Sequence, residues 1–71
     1  MQYTWDTVFD TANDLMIHHF KNDVKVMTNI KTGNIKVLNG LAIVDSRENI
    51  TLTEYSDFLM RIAEATDSIV E

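Results

Sequence analysis

The chain has no cysteine and no proline, and only two glycines among its 71 residues. Without cysteine, neither a disulfide nor a thiolate metal site can reinforce so short a domain. A reducing compartment is compatible with that composition but not required by it. No Pro/Ser-rich stretch marks a linker, so residues 1–71 are read as one domain. The two glycines, Gly33 and Gly40, fall in the turn sequences KTGN and NG. That leaves none for a phosphate-cradling loop. No apolar run approaches the roughly 18 residues that span a membrane. The opening MQYTWDTVFD lacks the basic-then-apolar layout of a signal peptide, and a soluble cytoplasmic protein is expected. Positive charge is also scarce, with six Lys/Arg against eleven Asp/Glu and a net charge of -5. That balance disfavours direct nucleic-acid binding, where neutralising phosphates supplies most of the affinity. It permits docking onto a basic protein surface.

What is present suffices for a core, since 45% of the residues are apolar. A domain this short buries only about 60% of its unfolded surface. Idealised packing or self-association must supply the rest of its stability.

Two segments show helical periodicity. Over residues 4–20, Trp5, Val8, Phe9, Ala12, Leu15, Met16, His19 and Phe20 follow i, i+3, i+4 spacing. Thr4 is the expected N-cap, Asp6 favours the first turn, and KND at 21–23 is the exit. Ile17 is left as a single apolar residue on the acidic side of that wheel. Over residues 50–70, Tyr55, Phe58, Leu59, Ile62, Ala63, Thr66, Ile69 and Val70 form a second stripe. Its start carries the strongest local signal: Thr51 and Glu54 make a capping box, and Ile50 and Tyr55 a hydrophobic staple. A start at Thr53 is the alternative.

Between these segments, KTGN and NG divide the chain into three β-type runs. Pairing Ile30 with Ile35 and Leu38 with Leu41 sorts the side chains onto two faces. One face carries Val24, Val26, Thr28, Ile30, Ile35, Val37, Ala42 and Val44. The other carries Lys25, Met27, Asn29, Lys31, Lys36, Leu38, Leu41 and Ile43. The expected fold is therefore α+β, an α-β-β-β-α domain. Its three-stranded antiparallel meander carries both helices on one face.

Two candidate surfaces follow. The first is an acidic helix layer formed by Asp6, Asp10, Asp14, Glu54, Asp57, Glu64 and Asp67. Such a layer keeps a small domain soluble, and it can also imitate the phosphate spacing of a nucleic acid before a nucleic-acid-binding protein. The second is the uncovered sheet face, where Met27, Leu38, Leu41 and Ile43 are ringed by Lys25, Lys31 and Lys36. That mixture has the character of an interface, for a copy of the chain or for another protein. The C-terminal SIVE folding over it is the alternative cover.

Catalytic and metal chemistry find no support. HExxH, CxxC and EF-hand patterns are absent. Ser46 has no histidine near it in sequence to complete a triad. No catalytic residue, cofactor or metal site is assigned. The paired His18 and His19 diverge by about 100° on a helix, so they cannot grip one ion together. On that wheel His18 is a surface residue beside Asp14, and His19 points at the core edge and needs a hydrogen-bond partner, a backbone carbonyl or Asp23.

The short length, the acidity, the lack of Cys and Pro and the Asn/Ile/Lys-rich middle segment resemble small accessory proteins of bacteriophages and prophages. The resemblance is one of composition, without a motif. It implies a non-enzymatic protein that binds and modulates, typically inhibits, one macromolecular target. A homo-oligomeric protein associating through its sheet face is the second expectation. A nucleic-acid binder using Lys25, Lys31 and Lys36 is the third, weakened by the lack of an aromatic residue on that face.

Overall fold

The computed structural model describes residues 2–70. The expected architecture is corrected: the described residues are mostly sheet, with one helix rather than two. In chain order the elements are β1 (Gln2–Tyr3), β2 (Asp6–Asp10), β3 (Leu15–His19), β4 (Val24–Asn29), β5 (Ile35–Asn39), β6 (Ala42–Arg47), α1 (Leu52–Ala65) and β7 (Ile69–Val70). Strands β2 to β6 form a five-stranded antiparallel meander in sequence order, and β1 pairs with β7 in a separate two-stranded sheet.

The segment expected as the first helix is a hairpin. Asp6 pairs with His19 and Asp10 with Leu15. Its turn, Thr11–Asp14, is made by side chains that compete with helical hydrogen bonding. Asp10 Oδ1 accepts from the Asn13 backbone N–H at 3.3 Å, and its Oδ2 accepts from Asn13 Nδ2 at 2.9 Å. Asp14 then takes a φ of 55°, a conformation that Asp and Asn tolerate better than most residues. The flanking Thr7, Val8, Phe9 and Ile17 are β-branched or aromatic and fit a pleated surface.

The next hairpins lie where the turn sequences put them, in a different register. Strand β4 meets β5 with Thr28 opposite Ile35, so Ile30 falls in the loop and is 54% exposed. Asn29 Oδ1 gathers the backbone N–H groups of Lys31 and Thr32, and Gly33 takes a φ of 77°. Strands β5 and β6 pair Asn39 with Ala42 and Leu38 with Ile43 across Gly40 and Leu41. A bulge between Val37 and Leu38 then shifts the register, so that Ile35 faces Arg47. Ala42 and Val44, expected in the core, are exposed.

Helix α1 begins as expected. Thr51 Oγ1 accepts from the Glu54 N–H and Glu54 Oε1 accepts from the Thr51 N–H, each at 3.1 Å. It stops earlier than expected: Thr66 caps it, Asp67 turns out at a φ of 56°, and Ile69 pairs with Tyr3. Leu59 and Ala63 seal against Phe20, Val26, Ile35 and Val37 to form the core. Residues 69 and 70 of the SIVE tail thus pair with β1.

Candidate functional site

One helix covers one face of the five-stranded sheet. The buried side chains His18, Val26, Thr28, Ile35 and Val37 all point toward it. Because side chains alternate along a strand, their neighbours occupy the opposite face. Cross-strand pairing arranges that face in rows. The middle row reads Val8, Ile17, Met27, Lys36. On one side runs Asp6, His19, Lys25, Leu38, Ile43, and on the other Asp10, Leu15, Asn29. On the edge strands Val8 is 50% and Ile43 60% exposed, and between them Leu15, Ile17, Met27 and Leu38 are half-buried. Apolar groups left in water on a sheet face are an interface feature when contiguous. Both sheet edges, by contrast, are guarded. Asp6 and Asp10 flank Val8 on edge strand β2, while edge strand β6 carries the bulge and an Arg47–Asp45 ion pair of 3.2 Å. Charges and bulges of this kind discourage edge-to-edge pairing.

The expected sheet-face cluster is largely assembled here. Met27, Leu38, Ile43, Lys25 and Lys36 share the face. Leu41 does not, being 97% exposed at the tip of the β5–β6 turn. Lys31 lies in the β4–β5 loop and pairs with Asp14 at 3.5 Å. The acidic residues do not form one layer. Asp6 and Asp10 belong to β2 and the open sheet face, and Asp14 to the β2–β3 turn. Glu54 is occupied in the capping box, Glu64 accepts from the Tyr3 hydroxyl, Asp57 lies on α1 and Asp67 at its exit. Three members of the open face, Val8, Leu15 and Ile17, were missed on the sequence. The alternation in DTVFD and the Asp/Asn/Thr-rich DTAND turn were the signals that could have found them.

The two histidines also change places. In a strand, neighbours point to opposite faces, so His18 is buried at 5% exposure and His19 is exposed. Trp5 Nε1 donates to His18 Nδ1 at 3.2 Å. An indole N–H only donates, so His18 Nδ1 is the acceptor and its proton sits on Nε2. That Nε2 lies 2.7 Å from the Tyr55 hydroxyl, which in turn lies 2.7 Å from Thr28 Oγ1. Thr7 Oγ1 lies 2.9 Å from Nδ1. Burial holds the His18 pKa below the ordinary histidine value, and the nearby His19 lowers it further. Burial raises that of Tyr55, partly offset by its hydrogen bond with Thr28. The network ties β2, β3 and β4 to α1, and among the described residues no buried side-chain polar atom is unpaired. A satisfied buried network of this kind specifies one core arrangement.

Two grooves flank the helix. One, of about 290 Å³, is apolar and includes Phe9, Met16, Ile30, Ile50 and Leu52. The other, of about 480 Å³, lies between β6 and α1, where Arg47 sits 5.4 Å from the centre of the Phe58 ring among Asp45, Asp57 and Arg61. Among the described residues no group of three or more His, Cys, Asp or Glu is placed to hold a metal ion, and no helix is long and apolar enough to cross a membrane. Comparison with models of known families, with curated proteins and with solved structures returned no match.

Proposed function

We infer that the protein is a non-enzymatic interaction module that binds a protein target through the uncovered face of its five-stranded sheet. The observation that carries this reading is the apolar row Val8, Ile17, Met27 on the sheet face that α1 leaves uncovered, with Val8 exposed, Ile17 and Met27 half-buried, and guarded edges on either side. Exposing such a row costs solubility, and occupation by another apolar surface recovers the burial at roughly 25 cal/mol per Å². The division of the acids between separate regions favours this reading over a phosphate-imitating surface. Lys25 and Lys36 share the face with apolar rather than aromatic residues, which favours protein over a single-stranded nucleic acid.

The test is site-specific photo-cross-linking in cells, with a photoreactive residue replacing either Ile17 or Asp57. Cross-links to protein, whether to another chain or to a copy, should be abundant from position 17 and sparse from position 57. Equal yields from the two positions, or none from 17, would reject the open face as the binding surface.

A further inference from the structure

We propose that the occupant of the open face is a second copy of this chain, packed sheet on sheet about a two-fold axis running along β3. The proposal rests on the interaction reading above and names its partner. A face can bind its own copy only if its chemistry is complementary after being turned over, residue i meeting j and j meeting i. The cross-strand rows allow candidate axes to be compared.

An axis along β3 superposes β2 of one copy on β4 of the other. In the first row, Asp6, His19, Lys25, the acid of one copy then lies over the amine of its partner, twice, and His19 meets itself on the axis. The middle row, Val8, Ile17, Met27, becomes wholly apolar: valine meets methionine twice and Ile17 meets itself on the axis. In the third row, Asp10, Leu15, Asn29, a carboxylate lies over an amide and leucine meets leucine. Both polar side chains of this row are held by their own turns, Asn29 Oδ1 by the Lys31 and Thr32 N–H groups and the Asp10 carboxylate by Asn13, so the leucine contact is what the row adds.

Other axes fail on charge. Along β4, Lys25 would lie on Lys25 of the copy and Lys36 on Ile17. Between β3 and β4, Asp6 would lie on Leu38 and Val8 on Lys36. Perpendicular to the strands through the middle row, Asp6 would lie on Asp10 and Lys36 on Lys36. Like charges held together, or a charge desolvated against an apolar group, oppose association. Of these axes, only the one along β3 sets opposite charges together in the first row and keeps the middle row wholly apolar. The central contact spans three strands about 4.8 Å apart, small by the standard of stable interfaces. Leu38 and Ile43 lie beyond it. The dimer is therefore a weak one, formed at high local concentration.

Sedimentation of the purified full chain at low salt, over a series reaching about 1 mM, reads this directly. Urea unfolding of dilute samples verifies that each variant folds. The wild-type chain should pass from monomer to dimer. Asp6→Lys and Lys25→Asp should each weaken association about tenfold or more. The double exchange should bring it back to within about threefold of wild type. Ile17→Asp should abolish it. A wild-type chain that stays monomeric throughout overturns the proposal, and so does a double exchange no stronger than the singles. A monomeric chain that still cross-links from position 17 to a different protein would remove the self-partner and keep the interaction reading. Absence of both would remove both.

Discussion

The two faces of the five-stranded sheet come from the same strands, residue by residue in alternation, yet they do different work. The face under α1 joins Val26, Ile35 and Val37 to Leu59 and Ala63 and encloses the His18–Tyr55–Thr28 chain of hydrogen bonds. The other face alternates Val8, Ile17 and Met27 with Asp6, Asp10, Lys25 and Lys36 and is left in water. Apolar content alone does not separate them. The distinguishing feature is polar pairing. Inside, polar groups are satisfied within the chain, whereas outside only Asp10 is held by its own turn, and Asp6, Lys25 and Lys36 stand beside apolar groups, available to a partner. Stability should therefore reside in the first face and binding in the second.

The sharpest break of this contrast is Ile35→Ala. Ile35 is buried against α1, and truncation there should cost about 2–5 kcal/mol. A chain of this length has only about 4–10 kcal/mol in total, so the midpoint of urea unfolding should fall steeply. Next comes Tyr55→Phe. It strips the shared partner from His18 Nε2 and Thr28 Oγ1 and should cost about 1–3 kcal/mol. Tyr3→Phe removes only an exposed contact with Glu64 and should do far less in the same measurement. Equal losses at the two tyrosines would show that the buried network contributes nothing special.

The same network sets a pH dependence. Because burial lowers the His18 pKa on folding, the unfolded chain binds the extra proton more readily. Stability is then fully present above the ordinary histidine value of about 6.5 and falls as pH drops through it toward the folded value. Protonation would also place a hydrogen on Nδ1 facing the Trp5 N–H, donor against donor. Urea titrations from neutral pH downward should show this decline, and His18→Gln should flatten it. A decline unchanged in that variant would assign it to other groups. Thr51→Ala, which removes half of the capping box, should cost about 1 kcal/mol. Smallest of all, Met27→Ala on the open face should change the unfolding free energy of dilute protein by less than about 0.5 kcal/mol. A Met27 cost approaching that of Ile35 would erase the distinction between the faces.

Some of this was legible in the residues. The capping box and staple at Thr51, Glu54, Ile50 and Tyr55 placed the start of α1 because that signal is local and its partners lie within five residues. The core identity of Val26, Thr28, Ile35 and Val37 survived a hairpin register that was off by two, since an even slip keeps every side chain on its face. Ala42 and Val44 were misplaced, with a bulge interrupting the alternation nearby. The segment from Thr4 to Phe20 misled for a different reason. Its apolar residues match a helical wheel, but in the hairpin that set divides between the two faces. Phe9 and Met16 fall on one, and Val8, Leu15 and His19 on the other. The turn chemistry of Asp10, Asn13 and Asp14 outweighed the wheel. The reversed roles of His18 and His19 followed from that single misreading.

By itself the sequence determined the features whose physics is complete within a few neighbouring residues: the cap of α1, the turns at Gly33 and Gly40, the acidic balance and the lack of any disulfide. The tertiary structure decided the rest. Whether residues 6–19 coil or pair depends on a sheet whose next strand begins at Val24, and periodicity cannot register hydrogen bonds between distant segments. Which face α1 covers, and hence which apolar row stays bare, depends on packing long-range partners together. The apolar row Val8, Ile17, Met27 exists only after three strands align, because its members lie nine and ten residues apart in the chain.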